Sequence, residues 1–170
     1  MRSELHATER GPRWAVAVAA ACLAVAALAQ TSAPRPAGPP EIHIVYMGGN
    51  DCPPCVAWRR EQLPRLEQTE AFKAIRFSYV VKSIRSTVPA GFLLPAEVRP
   101  YKDKLDVASG GLGGSPQFAI LVNGEVYDYY AGTRAADDMV DMIEAIRAGK
   151  KYPYPRCLQR ARGRICAKQA

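Results

Sequence analysis

The sequence predicts an α/β fold, and three observations predict it. A β-prone run, Ile42-His43-Ile44-Val45-Tyr46-Met47, ends in Gly48-Gly49-Asn50 and gives way from Pro53 to helical spacing. A second β-prone run from Ile75 to Val81 follows that helical stretch, placing Ile75, Phe77, Tyr79 and Val81 on one side. Two more such runs, Gln117–Val122 and Glu125–Tyr130, flank Asn123-Gly124, a strong two-residue hairpin signal, and an amphipathic helix comes after them. The order is strand, helix, strand, hairpin, helix, with no internal repeat.

The N-terminal elements come first in order. Residues 1–29 have the pattern of a secretory signal peptide: Arg2, Arg10 and Arg13, then the uncharged run Trp14–Leu28, then Ala27-Leu28-Ala29 before Gln30. A permanent bilayer span wants ~20 apolar residues, so an uncleaved N-terminal anchor is the alternative to cleavage. Residues 30–41, with TSAPRPAGPP at their centre, form a Pro-rich linker. A folded domain is expected over 42–150. Its first helix runs from Pro53 to about Phe72, with Val56, Leu63 and Leu66 inward and a kink at Pro64.

Ser83 to Gly114 is loop-rich, with a helix from about Ala96 to Val107 interrupted at Pro100. The last helix takes Thr133 as N-cap, has Asp137 and Asp138 in its first turn, buries Met139, Ile143 and Ile146, and stops at Gly149.

Charge divides the 170-residue chain. Residues 30–146 carry twelve Lys and Arg against fourteen Asp and Glu, whereas residues 147–170 carry eight Lys and Arg and no acid. The basic character therefore belongs to a C-terminal tail, 151–170, suited to weak contact with a membrane surface or an acidic partner. Beyond Tyr152 and Tyr154 no aromatic residues interleave with that charge, which argues against nucleic acid. Cys22 sits inside the apolar run. Without the leader four cysteines remain, Cys52, Cys55, Cys157 and Cys166, and two local pairs are the simplest of three connectivities. Cys157 and Cys166 are thus expected to form a structural disulfide.

Cys52-Pro53-Pro54-Cys55 carries the chemistry. Two thiols separated by two residues at a helix start close a small disulfide ring with little backbone movement. The helix N-terminus favours a thiolate on the first of them. Cys52 is expected to be the exposed nucleophile and Cys55, one turn in, the buried resolving thiol. Pro53 and Pro54 suit early helical positions. A four-ligand zinc site would need a second pair, and the only candidates lie about a hundred residues away. The alternative from another class is a module that binds copper or zinc, or a partner, without turnover; His43 and Met47 are its only further ligands.

With these residues in place, GLGGSPQFAILVNGEVYDYYAG resembles the thioredoxin-superfamily segment that holds a cis-proline, a strand, an Asn-Gly turn and a return strand. The resemblance spans about Glu41 to Ala148 and leans toward bacterial exported thioredoxin-like proteins. It implies a thioredoxin-like fold with a central mixed β-sheet flanked by helices. It implies that Pro116 is the cis-proline beside the dithiol and that Ser115 presents its backbone to substrate. It further implies a thiol–disulfide oxidoreductase with no organic cofactor beyond the redox-active pair Cys52–Cys55. The implied partners are protein thiols and disulfides and a membrane electron-transfer protein. The implied location is the periplasm or another exported site, with inner-membrane anchoring if the leader is kept.

Departures from the family's pattern are equally specific. Asp51 replaces its tryptophan, Tyr46 stands where its buried acid falls, and the helix proline comes four residues later. The 83–109 stretch is longer. Pro53 and Pro54 bring no N–H to Cys52, no histidine lies between the cysteines, and Asp51 opposes a thiolate, so a reducing rather than oxidising dithiol is expected.

Overall fold

The computed structural model describes residues 38–160 and 163–166, so the expected leader and most of the linker lie outside the described residues. Four strands form one mixed sheet: β1 (Ile42–Gly48), β2 (Arg76–Val81), β3 (Gln117–Val122) and β4 (Glu125–Ala131), in the order β2-β1-β3-β4. β1 runs parallel to β2 and antiparallel to β3, and β3 is antiparallel to β4. A parallel pair needs a crossover, and here it consists of three short helices, α1 (Pro53–Glu61), α2 (Leu63–Glu67) and α3 (Glu70–Lys73). α4 (Lys102–Ser109) precedes β3, and α5 (Ala136–Arg147) follows β4. This is the thioredoxin-like arrangement expected from the sequence.

β1 is buried along its whole length, which explains its nearly continuous apolar run. Its side chains divide the core in two. Ile42, Ile44 and Tyr46 meet Phe118, Ile120 and Tyr130 of the sheet, Trp58 of α1, Leu66 of α2, and Met139, Met142, Ile143 and Ile146 of α5. On the other face Val45 and Met47 meet Val80, Ala119, Leu121 and Tyr129, covered by Val88, Leu94, Val98, Leu105 and Ala108. The long 83–109 stretch is therefore the lid of the second face, made of two 3₁₀ turns (Gly91–Leu93 and Arg99–Tyr101) leading into α4.

Several expectations change. The helix expected over 53–72 is broken at Gln62, ahead of Pro64, so α1 ends a turn before the kink. Val56 is 38% exposed, because α1 turns Cys55 and Trp58 inward. α5 begins at Ala136 behind Ala135, so Thr133 is not its N-cap. The cap comes from across the fold: Ala136 N donates to Gln62 Oε1 at 3.0 Å. On β2 the fully buried side is Ser78 and Val80, while Val81 is 63% exposed at this edge strand.

The packed body also reaches past residue 150. Tyr152 is buried in the α1 face of the core and donates to Asp128 Oδ2 at 3.0 Å. Beyond it, β5 (Cys157–Arg160) and β6 (Gly163–Cys166) form a separate antiparallel ladder in which Cys157 and Cys166 are direct partners.

Candidate active site

Cys52 and Cys55 lie where β1 passes into α1. Cys52 is the N-cap residue, in extended conformation, and Pro53 and Pro54 occupy the first helical positions, which need no N–H. The first N–H of the helix free to turn outward is that of Cys55, and it points at Cys52 Sγ, 3.3 Å away. The two cysteines are joined as a disulfide with their Cα atoms 5.2 Å apart. Both are fully buried, so the exposure expected for Cys52 is not found in this oxidised state. Its sulfur is held between the Cys55 N–H and the carbonyl of Ser115, 3.4 Å away. The Ser115–Pro116 peptide is cis. Ser115 also donates its hydroxyl to Met47 O at 3.4 Å, which ties this loop to the end of β1.

The surroundings are neutral where the sequence pattern drew attention to charge. Tyr46 lies beneath α1, fully buried, and stacks on Trp58 (5.0 Å between ring centres) and Tyr79 (5.2 Å), with Phe118 tilted against it. Its hydroxyl reaches Cys55 O at 3.4 Å. Burial pushes its pKa up to about 12, so Tyr46 keeps its proton at neutral pH and is no base. Asp51 turns its carboxylate away along the rim, where Oδ2 accepts from Ile84 N at 3.1 Å. Trp58 fixes the helix from the other side by donating Nε1–H to Arg134 O at 2.8 Å. Arg59 bonds the Tyr79 hydroxyl and, at 2.7 Å, Asn50 Oδ1. Beside Pro53 an open groove of about 400 Å³ is lined by Asn50, Asp51, Val56, Ala57 and Arg60. Its lining is apolar at Val56 and Ala57, cationic at Arg60 and acidic at Asp51.

His43 lies at the opposite end of β1, its Nε2 2.9 Å from Ser78 Oγ. Burial, followed by the nearby Arg76, lowers its pKa, so it is neutral. Met47 belongs to the other face of the sheet from Cys52 and Cys55. Among the described residues no three His, Cys, Asp or Glu side chains converge as a metal site would require. No described helix is long and apolar enough to cross a membrane.

Two further buried polar residues border the site. Lys82 (5% exposed) and Gln117 (fully buried) bond each other at 3.0 Å behind the Ser115–Pro116 loop. Their signals were present: Lys82 continues the alternation of Ser78 and Val80, and Gln117 directly follows Pro116.

No protein-family model and no curated protein matches the chain. Solved structures do. Trxlp from Edwardsiella tarda EIB202 is 16% identical, with 61% of this chain and 82% of that one covered and a TM-score of 0.41. Thioredoxin-2, a component of the malaria parasite protein secretion machinery, is 14% identical over 62% of this chain and 82% of that one, TM-score 0.41. The C-terminal domain of Neisseria meningitidis DsbD in its reduced form is 16% identical over 64% and 84%, TM-score 0.39. These likenesses are distant; the fold assignment rests on the strand order and on the dithiol at the start of α1.

Proposed function

We propose that this chain is a thiol–disulfide oxidoreductase that reduces disulfides in protein substrates. One observation carries the reading: the Cys52–Cys55 disulfide caps α1 with its outer sulfur against the Ser115 carbonyl. In the reduced protein the Cys52 thiolate attacks a substrate disulfide, forming the Cys52–substrate bond as the substrate S–S bond breaks and one substrate thiolate leaves. Cys55 then attacks Cys52 Sγ, closing the intramolecular disulfide and expelling the second substrate thiolate. The substrate gains two electrons from the dithiol and two protons, one from Cys55 and one from water. Because Tyr46 holds its own proton, the departing thiolate is the acceptor for the proton of Cys55. No cofactor beyond the dithiol enters, and a thiol donor must reduce the protein again; a membrane electron-transfer protein fits that role.

Two features around Cys52 support the reducing direction. Of the first three residues of α1 only Cys55 has an N–H to offer the Cys52 sulfur, and no cation is bonded to that sulfur among the described residues. The Cys52 thiolate is therefore weakly stabilised, and weak stabilisation of the reduced form makes a reductant.

Insulin reduction with a chemical thiol donor tests the reading. Cys52→Ser should fall to the uncatalysed rate, and Cys55→Ser should accumulate a mixed disulfide at Cys52. Equilibration with glutathione should place the potential nearer about −270 mV than about −120 mV. Wild-type protein that leaves insulin intact would refute the function, and a potential at the oxidising end would refute the direction.

Export belongs to the same proposal, with residues 1–29 removed near Gln30 and Cys157 joined to Cys166 in the basic tail. The facing positions of those cysteines on β5 and β6 support the second pairing. A closed loop of about ten residues would give ~3 kcal/mol or less by chain entropy. Intact mass and a non-reducing peptide map of the exported protein test both. Retention of 1–29, or free thiols at 157 and 166, would count against them.

A further inference from the structure

Thiol exchange at Cys52 draws on the α1 face of the sheet, and a buried charge, Lys82, lies on the other face. Lys82 follows β2 in phase with Ser78 and Val80, and its backbone N–H reaches Gly48 O at 3.2 Å. Its ammonium donates to Ser86 O at 2.7 Å and to Gln117 Oε1 at 3.0 Å. Both acceptors are uncharged, and no ion pair of Lys82 occurs among the described residues.

Gln117 is saturated. Its Oε1 also accepts from the Tyr129 hydroxyl at 2.7 Å, and its Nε2 donates to Leu112 O at 2.9 Å and Gly113 O at 3.2 Å. One buried cluster thus joins two loops, 82–86 and 112–116. These loops border the dithiol. The first is held by Ile84 N to Asp51, next to Cys52, and the second carries the Ser115 carbonyl against Cys52 Sγ. The loops also touch directly: a Cβ on Gly113 would lie 2.9 Å from Arg85 O, and one on Gly49 would strike the Lys82 carbonyl and the Asp51 carboxylate.

We propose that Lys82 is a positioning residue. Through Ser86 and Gln117 its ammonium holds the 82–86 turn and the 112–116 loop in register around Cys52, and so sets how a protein substrate docks on the Ser115 backbone. The proposal rests on the oxidoreductase reading for its substrate.

Charge makes the clasp strong, because an ammonium donor bonds about twice as strongly as a neutral one. Burial lowers the Lys82 pKa to about 8, so the clasp weakens in the alkaline range. The groups facing it do not oppose that. Gln117 on β3 is neutral, and Tyr129 on β4 keeps its proton through burial and the Asp106 charge of α4. Asp51 on the β1–α1 turn is engaged by Ile84, and Arg85 on its own loop is exposed.

The test uses the full chain with Lys82→Met and Lys82→Arg. In the oxidised wild type no active-site thiol titrates. There, NMR amide signals of 112–117 and the Gln117 side-chain amide should shift with the same midpoint as the Lys82 ammonium. In Lys82→Met that transition should vanish. The KM for insulin at pH 7 should rise about five- to tenfold in Lys82→Met, the net worth of about one intramolecular hydrogen bond, and Lys82→Arg should recover most of it. Silent 112–117 amides while Lys82 titrates, or a wild-type KM in Lys82→Met, would overturn the proposal. Should Lys82→Met not fold, the wild-type titration decides alone. Wild-type protein inactive on insulin would remove the oxidoreductase reading and leave the titration to judge the clasp.

Discussion

The two faces of the sheet are built on different principles. Beneath α1 the core is aromatic: Tyr46, Trp58, Phe118 and Tyr130 pack face to face or edge to face with ring centres 5.0 Å apart. Beneath α4 it is aliphatic, and its polar groups, Lys82, Gln117 and Tyr129, bond one another. The aromatic face supports the dithiol from below with rigid rings that carry no charge near it. The aliphatic face governs the loops around the dithiol through hydrogen bonds. Rigidity and adjustment are thus assigned to opposite sides of one strand, β1, whose alternate residues belong to each.

Substitutions that exchange the two characters sharpen the contrast, and the largest effects belong to the aromatic side. Trp58→Ala empties a site that is 2% exposed and releases a bond to Arg134 O, so it should cost about 3–5 kcal/mol in urea unfolding. Leu105→Ala, its fully buried counterpart under α4, should cost about 2–4 kcal/mol. Equal losses would mean that the two faces do not differ in mechanical importance.

Lys82→Met should go the other way, gaining up to about 2 kcal/mol in oxidised protein, because a buried cation held only by neutral acceptors is replaced by an apolar chain of similar length. Its pH signature has a definite sign. Lys82 titrates near 8 folded and 10.5 ordinarily, so between those values the unfolded chain binds more protons and wild-type stability rises with pH. The difference from Lys82→Met should shrink over that window. Tyr46 acts oppositely: held up to about 12 against an ordinary 10.0, it keeps its proton when the unfolded chain loses it, and stability falls above about pH 10. Tyr46→Phe should blunt that alkaline loss and cost under about 1 kcal/mol at pH 7, the smallest effect here, since the hydroxyl makes only a long bond to Cys55 O.

The aromatic face was the legible one. Cysteine spacing, the Asn-Gly turn and the 3.6-residue period of Met139, Ile143 and Ile146 are local signals, and each element they mark is present. The other face was obscure because its cover, Val88 to Ala108, comes from a segment without sustained periodicity. Lys82 and Gln117 read as ordinary polar residues at strand ends; only the fold brings them together. Val56 misled for a related reason. A helix of nine residues with prolines at its start presents one narrow stripe, and Cys55 and Trp58 already fill it.

The bond from Ala136 N to Gln62 Oε1 spans 74 positions of sequence. Helix starts are usually secured by a neighbour along the chain, so they can form early and alone. Here the first turn of α5 is completed by a residue at the break between α1 and α2, which must already be in place. The closing of that turn is a non-local event, and contacts of this length slow folding. In hydrogen-exchange terms, the Ala136 amide should gain protection only after the crossover helices have docked, so the last helix made becomes a gauge of whether the first has formed.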